Sequence, residues 1–266
     1  MFDKFACRSP IIGLVPVRAI VVAVAGCSLL MSGISRAAEI RILASGAVKE
    51  ICLELAPQFE KASGHKLAVT WSGTEIIKTR VGAGEEFDLV IVGAPVIDAF
   101  IKEGKMVAGS RVDLVNSGVG VAVRAGAPKP DISSSDAVKK ALLAAKMVAY
   151  STGPSGVHVQ RLFDKMGIAD QMKYRSIRTV PGVRVGQYIA KGEADLGFQQ
   201  ISELIHEQGI DYLGPLPADI QNITVYSSGI PIGSKASEAA RAFQKFLTAP
   251  AAAPVIGKNG MEPTHR

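Results

Sequence analysis

Ile40-Arg41-Ile42-Leu43-Ala44-Ser45-Gly46-Ala47 is the stretch on which the architecture of this chain turns. Residues 40–44 have the apolar, β-branched character of a short strand, and Ser45-Gly46-Ala47 ends it with a small polar loop. From Val48 the apolar period lengthens to that of a helix, with Val48, Ile51, Cys52, Leu55 and Phe59 along one stripe. The same grammar then repeats. Residues 67–71 form a second strand, followed by Ser72-Gly73-Thr74 and a helix near 75–81. Residues 88–92 form a third, followed by Gly93-Ala94-Pro95 and a helix that turns Val96, Ile97, Phe100 and Ile101 inward. The third run is almost continuously apolar, as a parallel strand covered on both faces should be. Three strand–loop–helix units in series imply a parallel sheet with right-handed crossovers.

The pattern restarts at residues 147–150, a strand followed by Ser151-Thr152-Gly153-Pro154-Ser155-Gly156 and a helix carrying Val159, Leu162, Phe163 and Met166. Residues 174–180 lead to Pro181-Gly182 and a helix near 183–190, and residues 195–199 form a further strand. The halves echo each other: Gly84-Glu85-Glu86-Phe87-Asp88-Leu89 against Gly192-Glu193-Ala194-Asp195-Leu196. Apolar stretches at 119–123 and 222–226 connect them, the second leading to a helix around 239–247. The expected fold class is α/β: two lobes joined by a hinge, each a mainly parallel sheet flanked by helices. The expected division is a signal peptide over 1–37, a first lobe over 38–120 plus 226–266, and a second lobe over 121–225.

Composition supports a folded, exported protein. With 48% apolar and 20% charged residues in 266, the chain can bury enough surface to offset its entropy, which excludes disorder. The net charge of +6 owes much to Lys4, Arg8, Arg18 and Arg36 set against Asp3; the remainder is only +3 and has no long Lys/Arg run. No nucleic-acid partner is expected. The N-terminus reads as a secretory signal, with basic residues through Arg18, an apolar run at 19–25, and Ser35-Arg36-Ala37-Ala38 placing cleavage after Ala37. That run is shorter than the ~20 residues of a membrane span. Val24-Ala25-Gly26-Cys27 offers a rival, a lipoprotein box with Cys27 acylated. Cleavage after Ala37 leaves Cys52 alone, without an internal disulfide partner, and its place on the helical stripe makes it a small core hydrophobe.

Open parallel sheets place ligands at the carboxyl ends of their strands. There the sequence puts the hydroxyls of Ser45, Ser72, Thr74, Ser151, Thr152 and Ser155, with Gly46, Gly73, Gly93 and Gly156 allowing close backbone approach. Several of these loops open a helix, whose first N–H groups favour an anion. Any one of these residues is equally an ordinary cap or turn; their recurrence in both halves points to an anion cleft between lobes. The four histidines show no metal-ligand spacing, no phosphate-loop or dinucleotide fingerprint is present, and Ser155 lacks the spacing of a nucleophile elbow. Neither metal nor cofactor is expected. Glu85-Glu86 and Glu203/Glu207 read as solvated faces or caps. His158 falls in the first turn after the Ser155 loop, where a side chain can face the cleft.

From residue 40 to residue 260 the chain resembles the type II periplasmic solute-binding proteins, nearest their molybdate-binding branch. The features that carry this are Ala44-Ser45-Gly46-Ala47, Trp71-Ser72-Gly73-Thr74 and Gly192-Glu193-Ala194-Asp195-Leu196-Gly197-Phe198. The resemblance implies that Ser45 and Ser72 donate to an oxyanion and that Ser155-Gly156-Val157 offers backbone N–H groups. Molybdate binders carry a tyrosine where this chain has Gln200, beside Gln199, and Arg178 and Arg184 lie near the same edge. An amide offers more donors than a phenol, and guanidinium groups match carboxylates, so these departures favour an organic polycarboxylate. Tyr150-Ser151 with Ser155-Gly156-Val157, and Gly197-Phe198-Gln199-Gln200-Ile201-Ser202-Glu203, look closer to the periplasmic aconitate isomerases of the same branch. The resemblance therefore implies a receptor that captures a small anion for an ABC-type permease, with an aconitate isomerase as the alternative. The expected ligand set is Ser45, Ser72, Thr74, Ser155, Gly156, Val157, Gln199 and Gln200. On the isomerase alternative His158 is the expected base, with Glu75 behind it. A monomer is expected.

Overall fold

The computed structural model describes residues 37–264. The signal-peptide reading, its cleavage point and the Cys27 alternative all fall outside the described residues. Among the described residues eleven strands form two sheets. In chain order they are β1 Glu39–Ser45, β2 Lys66–Ser72, β3 Leu89–Gly93, β4 Val112–Ser117, β5 Val119–Arg124, β6 Val148–Tyr150, β7 Ser176–Arg178, β8 Leu196–Gln200, β9 Ile210–Pro215, β10 Thr224–Gly229 and β11 Glu262–Pro263. The helices are α1 Lys49–Ser63, α2 Thr74–Gly82, α3 Ala94–Lys102, α4 Ser135–Ala144, α5 Pro154–Lys165, α6 Ala169–Met172, α7 Val185–Ala190, α8 Ile201–Leu204, α9 Ser237–Leu247 and α10 Ala253–Lys258.

The first sheet runs β11-β4-β10-β3-β1-β2 and the second β7-β6-β8-β5-β9. Each contains a parallel trio in the order second, first, third: β2-β1-β3 and β7-β6-β8. The remaining strands join antiparallel, so the parallel character expected throughout each sheet holds only for the βα units. β5 pairs with β8, and β10 with β3, so the chain crosses between sheets beside the third strand of each trio. These antiparallel partners come from distant sequence, and a helix-alternation pattern carries no sign of them.

The echo between the halves has a structural cause. Gly84 (φ 79°) and Gly192 (φ 77°) both take the left-handed conformation just after a helix, where a Cβ is unfavourable. The aspartate four or three residues on then bonds the backbone near the start of the first strand of its own parallel trio. Asp88 accepts from the Arg41 N–H at 2.9 Å, and Asp195 from the Met147 N–H at 3.0 Å. Burial works against the Asp88 carboxylate, but the N–H groups of Arg41, Lys235 and Ala236 and the Ser234 hydroxyl outweigh it and hold its pKa low.

Apolar faces pack as their periodicity requires. In α1 the stripe Ile51, Cys52, Leu55 and Phe59 is buried, and Phe59 meets Phe243 of α9 with ring centroids 4.9 Å apart. β3 is buried at every residue. In the second lobe Tyr150 and Phe163 meet edge-on at 5.8 Å. Burial pushes the Cys52 thiol up to about 12, the environment of a packing residue and not of a reactive thiolate. Among the described residues no helix is long and apolar enough to cross a membrane.

Candidate anion-binding cleft

The carboxyl ends of β1, β2, β6, β7 and β8 face one cavity of about 230 Å³, whereas β3 and its Gly93-Ala94-Pro95 loop end on a separate depression. In the β1–β2 ladder Ser45 stands opposite Ser72, which brings the two hydroxyls to one edge. Ser45 is buried, and its hydroxyl also accepts from the Ala47 N–H at 3.4 Å as the cap of the 3-10 turn Gly46–Val48. From the second lobe come Ser151, Thr152 and Ser155, after β6, and Thr179, after β7. Ser151 and Ser155 share a hydroxyl–hydroxyl bond of 2.9 Å. The loop folds back tightly enough that a Cβ at Gly156 would lie 1.6 Å from the Ser151 carbonyl oxygen, so only glycine fits there. The first internal bond of α5 runs from the Val157 N–H to the Gly153 carbonyl, which leaves the Ser155 and Gly156 N–H groups without a partner inside the helix.

Charged groups complete the lining. Lys49 is half-buried at the start of α1 and has no acidic partner among the described residues. Arg184 donates to Glu50 of the opposite lobe at 2.8 Å and lies 3.5 Å from Glu207. Glu203 enters from α8, its Oε1 3.3 Å from where a Cβ on Gly46 would stand. Desolvation pushes the Glu203 carboxyl up to about 7, against the pull of Arg184 and a hydrogen bond from Gln199, while the charge of Glu207 adds to the rise. Tyr226 of β10 is buried at the cavity floor, bonded to Ser45 and Gln200; burial and the nearby Glu203 raise its phenol far above the ordinary range. The Thr179 hydroxyl is buried, 2% exposed, and has no hydrogen-bond partner among the described residues. A buried donor left free on a cavity wall is what a ligand would satisfy.

Of the residues singled out from sequence, Ser45, Ser72, Thr74, Ser155, Gln199 and Gln200 line this cavity. Gln199 and Gln200 are already engaged. The Gln199 carbonyl accepts from the Val185 N–H at 2.7 Å. Gln200, with its amide oriented to pair both ends, donates to Ser117 Oγ and the Gly118 carbonyl at 3.0 Å and accepts from Thr224 Oγ1 at 3.1 Å. Val157 and His158 do not line the cavity; both lie on a separate depression with Glu75, and the Val157 N–H is spent within the helix. The imidazole Nε2 of His158 bonds the Ile220 carbonyl at 2.7 Å, because its position in α5 turns it toward the connection into β10. Glu75 is exposed and paired with Lys78 at 3.0 Å. Gly156 sits behind the cavity wall, packed on Ser151. Arg178 is exposed, whereas Arg184 reaches the cavity.

Sequence reasoning missed Lys49, Thr179 and Tyr226, and took Glu203 for a solvated or capping residue. Thr179 follows β7 as Gly73 follows β2, so the internal repeat was the available signal. Nothing local marks Tyr226. Among the described residues no cluster of His, Cys, Asp or Glu is arranged to hold a metal ion.

A two-lobed α/β frame with a donor-lined cavity at its strand ends is the architecture of the periplasmic binding proteins. The chain belongs to the bacterial extracellular solute-binding protein family, whose model matches residues 40–262. It is 40% identical over 228 residues to an aconitate isomerase from a Pseudomonas species, covering 84% of this chain and 87% of that one. It is 26% identical over 237 residues to the molybdate-binding protein ModA of Azotobacter vinelandii, covering 87% and 92%. In fold it matches the Azotobacter vinelandii periplasmic molybdate-binding protein with a TM-score of 0.71 at 19% identity, covering 84% of this chain and 98% of that one.

Proposed function

We propose that this protein binds a small organic polycarboxylate between its lobes in the periplasm and interconverts cis- and trans-aconitate. The observation that carries the reading is the cavity itself. The cavity is lined from both sides by donors that lie too far apart in the chain and on too many strand ends to serve one compact group. Its donors come from both sides: Ser45, Ser72 and the cation Lys49 from one lobe, Ser155, Thr179 and the cation Arg184 from the other. Several separated donor groups suit several carboxylates. The 40% identity to an aconitate isomerase supports the same substrate class.

A receptor that delivers the same ligand to an ABC-type permease is the second reading, favoured by membership of a solute-binding family. On either reading the protein acts as a monomer after cleavage following Ala37. Incubation of the purified protein with cis-aconitate, with trans-aconitate followed by NMR, separates the two. Turnover is expected; calorimetric binding of cis-aconitate without turnover would leave the receptor, and absence of both would remove the tricarboxylate.

A further inference from the structure

We infer, on the isomerase reading, that Glu203 is the group that takes a proton from one carbon of the ligand and returns it to another. An allylic shift needs one group that can accept and then release a proton, placed in the cavity and out of bulk water. The titratable side chains lining the cavity are Lys49, Arg184, Glu203 and Tyr226. Arg184 is tied to Glu50 and Glu207 and stays a cation. The Tyr226 phenol is held protonated by burial and suits donation. Lys49 is the unpaired cation that offsets ligand charge. Glu203 alone combines basic oxygens with a place inside the cavity.

The geometry around Glu203 is built on both lobes. The Ser202 hydroxyl donates to the Ala47 carbonyl at 2.8 Å, pinning α8 to the 3-10 turn of the first lobe. That turn contributes no titratable group, and Gly46 leaves the space into which Oε1 projects. Gln199 of β8 has its carbonyl occupied by Val185, so its amide nitrogen faces the carboxylate. Arg184 approaches from the start of α7, Glu207 from beyond α8, and Tyr226 from β10. A carboxyl so enclosed titrates near neutrality, where acceptance and return of a proton are both accessible.

The chemistry balances without a co-reactant. The Glu203 carboxylate removes a proton from the ligand's methylene carbon; the C–H bond breaks, an O–H bond forms, and the electron pair spreads over the allyl system and its carboxylates. Thr179, Ser45 and Lys49 face that developing charge. The proton then passes from Glu203 to the far allylic carbon, and the double bond moves one position along.

The test compares wild type and Glu203→Gln for cis-to-trans turnover and for calorimetric affinity. The expected result is a kcat lower by about 10²–10⁴-fold with affinity unchanged or improved, because a negative charge is removed. Wild-type kcat should also rise with pH through a limb at or above about 7, as the bound anion holds the carboxyl protonated. Turnover by Glu203→Gln within about threefold of wild type would overturn the inference while leaving the isomerase reading intact. Loss of affinity together with turnover in a folded variant would overturn it in favour of a purely binding role. Wild type that binds cis-aconitate without turnover would instead remove the isomerase reading and this inference with it. Should Glu203→Gln fail to fold, Glu203→Asp, which keeps the acid but draws it back from the cavity by one methylene, should lower kcat; an unaltered kcat there overturns the inference.

Discussion

Thr179 shows at the scale of one residue how a buried polar atom reports on a missing partner. Its hydroxyl is buried without a hydrogen-bond partner among the described residues, so removing it should not harm the fold. Thr179→Val, nearly the same shape, is expected to leave the melting temperature equal or higher while weakening cis-aconitate binding by about 1.5–3 kcal/mol, the range for a bond to a charged group. Thermal melts and calorimetry on the same sample check both halves. Ser45→Ala and Ser72→Ala should weaken binding in the same range, with Ser45→Ala also losing its turn cap. His158→Ala, by contrast, should leave turnover within about threefold of wild type, since its imidazole serves the Ile220 carbonyl. A collapse of turnover there would return the base to His158.

Among elements, the entry into α5 is the most tightly constrained. A methyl at residue 156 would collide with the Ser151 carbonyl, and the colliding atom is backbone that cannot swing aside. Gly156→Ala should therefore cost at least the ~1–3 kcal/mol of an overpacked core and abolish ligand binding. Denaturant melts and calorimetry would register this, and a variant with native stability and affinity would contradict the loop geometry. The two aspartate caps make a parallel prediction. Asp88 has a lowered pKa, so its stabilisation is full above its unfolded value near 3.8 and is lost as pH falls through the lower folded value. Asp88→Asn should reduce stability at pH 7 by about 2 kcal/mol and flatten the acid limb of a stability-versus-pH curve.

Across the whole molecule the lobes meet over the cleft. Arg184 and Glu50 pair from opposite sides, and a Cβ at Gly73 would stand 2.9 Å from the Gly182 nitrogen, so these loops touch through backbone. Below them Gln221 clasps both connections, accepting from the Val119 N–H at 2.8 Å and donating to the Val119 carbonyl at 3.0 Å and the Leu216 carbonyl at 3.3 Å. Breaking the Arg184–Glu50 pair with Glu50→Gln should favour an open form, enlarging the radius of gyration without ligand and weakening binding by about 1 kcal/mol. An unchanged scattering profile and affinity would show that the pair does not hold closure.

The division between what sequence determined and what needed the folded chain follows the range of the interactions involved. Strand–loop–helix units, the burial of Cys52, and the hydroxyls at Ser45, Ser72, Thr74 and Ser155 were all legible. Periodicity, caps and strand ends are decided within a few residues, and open sheets put ligands at those ends. The matched Gly–Asp pairs were visible as an echo, although their role as strand caps waited on hydrogen bonds spanning 47 and 48 residues. The antiparallel strands β4, β9 and β11, the presence of Glu203 and Tyr226 in the cavity, and the turning away of His158 belong to tertiary structure alone. Each depends on which face an element presents after the chain has crossed twice between sheets. A carboxylate's solvation, and with it the difference between a surface charge and a proton carrier, is set by neighbours that the sequence does not hold adjacent.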